Sequence, residues 1–146
     1  MATKSYQEEK NHKLAEAYGE DTGIGCIALV NWAGKFVAIK CAKNRGIILP
    51  GGKHHKNETF KDTARRELYE ETGLMALPGA DLIFHGLNND GFYIYTFKLR
   101  IEKFTPKDSI EGKVVLASWD ALLRSDFQAY YELLKEQYDL HLSHGH

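Results

Sequence analysis

The sequence predicts an α/β fold in which helices cover a mixed β-sheet on both faces, an α/β/α sandwich. Three observations lead there. β-branched apolar runs and helix-permissive segments follow one another in the order β-β-β-α-β-β-β-α, a pattern that a layered domain accommodates. The length of 146 residues suits one hydrophobic core, so residues 1–146 are read as a single domain. A composition of 43% hydrophobic and 27% charged residues excludes a disordered, collagenous or fibrous chain.

Residues 4–18 are polar and helix-permissive and end at Gly19, which predicts a short peripheral helix. The run GIGCIALVNWAGKFVAIKCA reads as a β-hairpin about Ala33-Gly34. A two-residue turn there sets Cys26 opposite Cys41, Ala28 opposite Ile39 and Val30 opposite Val37, with both cysteines as reduced core thiols. Asn44-Arg45-Gly46 breaks the pattern, Ile47 to Leu49 forms a short strand, and Pro50-Gly51-Gly52 turns the chain. A helix follows from Thr59 to Thr72, with Thr59 as N-cap, Asp62 three residues on, and Gly73 as the residue that stops it.

Leu82–His85, Gly91–Ile101 and Lys113–Ser118 are the remaining strands, set off by Asn88-Asn89-Asp90-Gly91 and Thr105-Pro106. Trp119 to Tyr138 is mostly helical with a break near Ser125. Leu122, Leu123, Phe127, Tyr130, Leu133 and Leu134 are its candidate packing residues. Of the aromatic residues on strands and at Trp119, the reading for Trp32, Phe36, Tyr93, Tyr95 and Trp119 is core rather than base stacking. His141, His144 and His146 are read as a mobile tail.

Nineteen Lys and Arg against twenty Asp and Glu give a net charge of −1, so no global attraction draws the chain to nucleic acid or acidic membranes. The longest apolar run, Cys26 to Val30, is far short of the ~20 residues that span a bilayer. The N-terminus also lacks a secretory apolar stretch, and a cytoplasmic protein is expected. Whether it is a monomer or a homodimer stays open. Charge is nevertheless uneven along the chain: no acidic residue falls between Asp21 and Glu58, while Lys35, Lys40, Lys43, Arg45, Lys53 and Lys56 are basic. Arg45 and Lys53, which flank Leu-Pro-Gly-Gly, are the candidate phosphate-binding residues.

The chemistry concentrates on the helix at 59–72. At 100° per residue Glu67, Glu70 and Glu71 share a sector of about 100°, and like charges at these spacings repel unless a cation compensates them. Oxygen donors of this kind suit Mg²⁺ or Mn²⁺. Arg66 stands beside them to orient a carboxylate, and Phe60, Ala64 and Leu68 form an adjoining apolar stripe that anchors the helix.

With its flanks, this helix resembles the Nudix box. Gly52, five residues, Glu58, seven residues, then Arg66-Glu67-Leu68-x-Glu70-Glu71-x-Gly73-Leu74 matches all nine specified positions over 52–74. Leu49-Pro50-Gly51-Gly52 resembles the family's approach to the box, and Trp119-Asp120-Ala121-Leu122-Leu123 its late Trp-plus-helix segment. The resemblance implies a Nudix fold and a Mg²⁺- or Mn²⁺-dependent hydrolase of a nucleoside diphosphate linked to another moiety. Glu67, Glu70 and Glu71 would be metal ligands, with a backbone carbonyl of Gly51 or Gly52. Glu58 would support the metal shell, Arg66 would orient a carboxylate, Glu67 would be the base, and Glu111 an additional ligand.

His55 and Asn57 stand where many members carry Glu and Gly, and His54 and His55 are read as a solvated loop pair. The expected substrate is a nucleoside triphosphate, in nucleotide-pool housecleaning. A nucleoside diphosphate sugar, ADP-ribose and a dinucleoside polyphosphate are the alternatives. A non-catalytic nucleotide sensor would ordinarily have lost box carboxylates, and all are retained.

Overall fold

A computed structural model describes residues 2–41, 46–88 and 90–144, with side chains from residue 8 onward. Arg45, Lys43, Asn44, Asn89 and His146, singled out in the sequence, lie outside the described residues. The elements in order are α1 (Ala2–Tyr18), β1 (Asp21–Trp32), β2 (Lys35–Cys41), β3 (Ile47–Ile48), β4 (Gly51–His55), α2 (Phe60–Thr72), β5 (Asp81–Leu87), β6 (Tyr93–Leu99), β7 (Gly112–Ala117), α3 (Trp119–Leu123) and α4 (Gln128–Ser143). The sheet runs β3-β2-β1-β6-β5, with β4 added to β1 and β7 to β2. It is mixed, because β1 is parallel to β6 and antiparallel to β2 and β4.

Strand alternation along β1 explains the layers. Cys26, Ala28 and Val30 face a core with Ala64 and Leu68 of α2, while Leu29 faces a second core with Leu122, Tyr130, Tyr131 and Leu134. Phe36 and Trp119 belong to the second core and Trp32 packs on Phe104 beside the first, as expected of core aromatics. Phe127 and Leu133, in contrast, are exposed. The helical break is where Ser125 Oγ donates to Leu122 O, between α3 and α4. His141 is part of α4, 3.6 Å from Asp81, and His144 caps that helix, so neither belongs to a loose tail.

The hairpin forms in the expected register only at its closed end, Asn31 opposite Phe36 and Trp32 opposite Lys35. Ala33 and Gly34 both take positive φ, 54° and 85°, as such a tight turn requires. β1 then changes partner. Cys26 lies opposite Gly52 and Ile27 opposite Gly51, while Cys41 lies opposite Gly112, so the cysteines sit in different ladders and no disulfide joins them. Gly51 and Gly52 thus begin a strand rather than only turning the chain. A Cβ on Gly51 would stand 2.8 Å from Cys26 O and 2.9 Å from Ile27 Cγ1, so this close approach to β1 requires glycine.

α2 is capped as its sequence predicts: Thr59 accepts from Asp62 N, and Gly73 at φ 74° donates its N–H to Tyr69 O. Docking of Ala64 and Leu68 on the sheet then decides which way the carboxylates point.

Candidate active site

α2 lies across β4 so that Glu67 and Glu71 are pressed against two glycines. Gly51 N donates to Glu71 Oε1 at 2.7 Å. At Gly52, a Cβ would collide with the Glu67 carboxylate. Glycine is therefore needed at 51 for backbone approach and at 52 for carboxylate space. Glu67 is 3% and Glu71 6% exposed, whereas Glu70 stands at the rim.

Arg66 ties this group together. Its Nε and Nη2 donate to the two oxygens of Glu58 at 3.1 and 2.9 Å, its Nη1 to Glu67 Oε1 at 2.8 Å and to Glu70 at 3.3 Å, and its Nη2 also to Lys53 O at 3.2 Å. The guanidinium also lies 5.4 Å from the centre of the Tyr18 ring. Glu58 accepts a further bond from His55 N. Burial would raise the Glu58 pKa, but Arg66 wins and holds it below the ordinary range.

Glu67 and Glu71 go the other way. Burial raises the pKa of both; Lys10 and Arg66 oppose the rise at Glu67 without cancelling it. Glu71 is pushed up to about 8 by burial and by the charge of Glu67, with only partial relief from Gly51 N–H. Two buried carboxylates lacking full compensation are what a hard divalent cation would satisfy, and an all-oxygen donor set fits Mg²⁺ or Mn²⁺. As the side chains stand, no group of three His, Cys, Asp or Glu among the described residues converges closely enough to hold an ion. Arg66 and Lys10 occupy Glu67 and Glu70 instead. Side-chain rotation at the rim would therefore accompany loading.

The cleft over these carboxylates has a volume of about 440 Å³ and includes Glu111, which the chain brings in from the turn before β7. Lys53 reaches it with a largely exposed side chain paired to Asp21 at 3.4 Å. Lys10 and Lys53 are the basic side chains lining it among the described residues; Lys35, Lys40 and Lys56 do not.

His54 and His55 are not a solvated pair. Both are buried in β4, because β4 pairs with β1 and is covered by α2. The His54 ring bonds Thr22 Oγ1 and Glu58 O and packs on Phe60. His55 Nδ1 lies 2.8 Å from Gly19 O and must donate to that carbonyl, so the residue that departs from the box's usual surroundings fastens the end of α1.

A second hollow, of about 280 Å³, lies beyond β4 and is apolar, lined chiefly by Ile27, Leu49, Phe92, Ile94, Tyr130 and Tyr131. Gly51, Gly52 and Lys53 border both hollows. The Tyr131 hydroxyl accepts from Leu49 N and that of Tyr130 meets Thr96, so their polar ends are occupied and their rings present apolar surface. Sequence reasoning placed Tyr130 among the packing residues of its helix and missed the hollow; Tyr95 stacks instead on Phe60, and Tyr93 packs at a tilt against His85. Lys10 was also missed, since nothing in a polar helix distinguishes one lysine from the next.

The NUDIX domain family model matches residues 20–132. No curated protein matches the chain. Among solved structures, a MutT protein from Methanosarcina mazei Go1 superposes with a TM-score of 0.62 at 22% identity, over 81% of this chain and 94% of that one. An ADP-ribose pyrophosphatase from Streptococcus suis gives 0.61 at 19% identity over 77% and 89%. An Ap4A hydrolase from C. elegans gives 0.63 at 14% identity over 82% and 97%. With Glu67 and Glu71 of its box lining one cleft and the family match running through most of its length, the chain belongs to the NUDIX domain family, whose hydrolases act on phosphoric anhydride bonds.

Proposed function

We propose that this hydrolase is a Mg²⁺- or Mn²⁺-dependent pyrophosphohydrolase of nucleoside triphosphates, working as one domain in the cytoplasmic nucleotide pool. The observation that carries the reading is the shared border: a carboxylate cleft and an apolar hollow meet at Gly51, Gly52 and Lys53. A phosphate chain in the cleft and a base in the hollow satisfy both at once. The apolar hollow on one side of the cleft and Lys10 and Asn11 of α1 on the other fit a substrate with one nucleoside and a phosphate chain. No helix among the described residues is long and apolar enough to cross a membrane.

Glu67, Glu70 and Glu71 would hold the metal, with a carbonyl of Gly51 or Gly52 and with Glu111 at the edge. When bound, divalent cations neutralise charge on phosphate oxygens and acidify the attacking water. Arg66 fixes Glu67 through Oε1, and Oε2, which stands 3.7 Å from the Lys10 ammonium in the metal-free protein, would accept the proton of the attacking water once Lys10 has moved off it. Glu58 keeps Arg66 in place by its paired bonds. Lys53, and Arg45 by its sequence position, hold the phosphate chain at the rim.

The test is phosphate and pyrophosphate release from nucleoside triphosphates, nucleoside diphosphate sugars, ADP-ribose and dinucleoside polyphosphates, with Mg²⁺, Mn²⁺ or chelator. Highest kcat/KM on a triphosphate, lost on chelation, is expected. A higher value on another class replaces the substrate reading. Failure of every substrate leaves the nucleotide-sensing alternative.

A further inference from the structure

α1 lies ahead of the family match, yet it walls the cleft through Lys10, Asn11 and Leu14. Its C-terminal end is fastened by Asn57 N to Tyr18 O at 2.7 Å, Lys56 N to Glu20 O at 2.8 Å, and the His55 bond to Gly19 O. These anchors set the helix, while the four-carbon stem of Lys10 retains its rotations. The Lys10 ammonium lies 3.4 Å from Glu70 Oε2 and 3.7 Å from Glu67 Oε2, with its side chain only 19% exposed.

Lys10 thus partly neutralises the oxygens that a divalent cation would take. Two cations on the same oxygens repel strongly in a partly dry cleft. A divalent cation on Glu67 and Glu70 would displace the ammonium, and the bonds that fasten the end of α1 would hold Lys10 beside the cleft. The anion that next enters is the phosphate chain. We propose that Lys10 is a substrate-binding residue supplied by α1: it neutralises Glu67 and Glu70 in the metal-free protein, yields them to divalent cations, and then pairs with the substrate's phosphates. This rests on the reading of Glu67, Glu70 and Glu71 as the metal carboxylates.

Lys10→Met keeps most of the apolar stem and removes the charge. Two readouts apply. Mn²⁺ titrated calorimetrically into chelator-stripped full-length protein, without nucleotide, should bind the variant about 3- to 10-fold more tightly. At saturating Mg²⁺, KM for the best substrate of the panel should rise about 10-fold while kcat stays within about twofold, and Lys10→Arg should restore KM. Lys135→Met on α4 should change neither. Unchanged or weaker Mn²⁺ binding, or an unchanged KM, overturns the proposal. Glu67→Gln/Glu71→Gln separates the two readings: if it binds Mn²⁺ like the wild type, the metal assignment fails; if it loses binding while Lys10→Met behaves like the wild type, only the role of Lys10 fails.

Discussion

Replacing Glu71 by Gln should make the metal-free protein more stable at alkaline pH and leave it nearly unchanged at acidic pH. Glu71 rises from an ordinary 4.5 to about 8 on folding. Between those values the folded state holds a proton that the unfolded state has released, so stability falls as pH rises through the window. At about 1.36 kcal/mol per pH unit, the full span corresponds to a loss of up to about 5 kcal/mol by pH 8. Gln has the shape of the protonated carboxyl and can still accept from Gly51 N, so it avoids this loss. Urea denaturation in chelator, at about pH 5 and about pH 8.5, measures the difference, with the variant gaining several kcal/mol only at the higher pH. Excess Mn²⁺ should recover the wild type at alkaline pH, because coordination selects the charged carboxylate, and should help the variant far less. Parallel stability curves for the two proteins would refute the argument that buried like charge governs this site.

Glu67→Gln should remain folded, by circular dichroism and melting, while turnover at saturating Mg²⁺ drops at least ~10²-fold, the scale of a lost general base. Arg66→Ala strands buried Glu58 and Glu67 and should cost roughly 3–5 kcal/mol in denaturant titrations. Gly52→Ala drives a methyl group into the Glu67 carboxylate, so calorimetry should show weakened Mn²⁺ binding, whereas a wild-type isotherm would mean that the carboxylate sits elsewhere. Arg45→Ala and Lys53→Ala should lower kcat/KM with little change in melting, against Lys135→Ala as control, because an exposed lysine contributes little to stability.

Local interactions make α2 legible in the amino-acid sequence. Thr59 and Gly73 terminate it, Ala64 and Leu68 anchor it, and the spacing of Glu67, Glu70 and Glu71 gathers the carboxylates on one side; each depends on residues within a few turns of one another. Alternation likewise exposes most strands, and the break near Ser125 shows in the helical pattern. What the hairpin reading lacks is competition. Its register is right at Ala33-Gly34, but farther along β1 the bare backbone of Gly51 and Gly52 offers a closer partner than β2. That choice also carries His54 and His55 from an expected loop into a buried strand.

The sequence by itself determined the carboxylate helix, its caps and the resemblance to the family, because these are written in spacings within the short stretch from Gly52 to Leu74. Tertiary structure alone decided that Tyr131, hydrogen-bonded to Leu49 across 82 residues, closes an apolar hollow beside the carboxylates. It alone also delivered Lys10 of α1 into their midst. The physical reason is the same for both: packing is non-directional and joins whichever surfaces the sheet order brings together, and no local periodicity records which distant surface that will be.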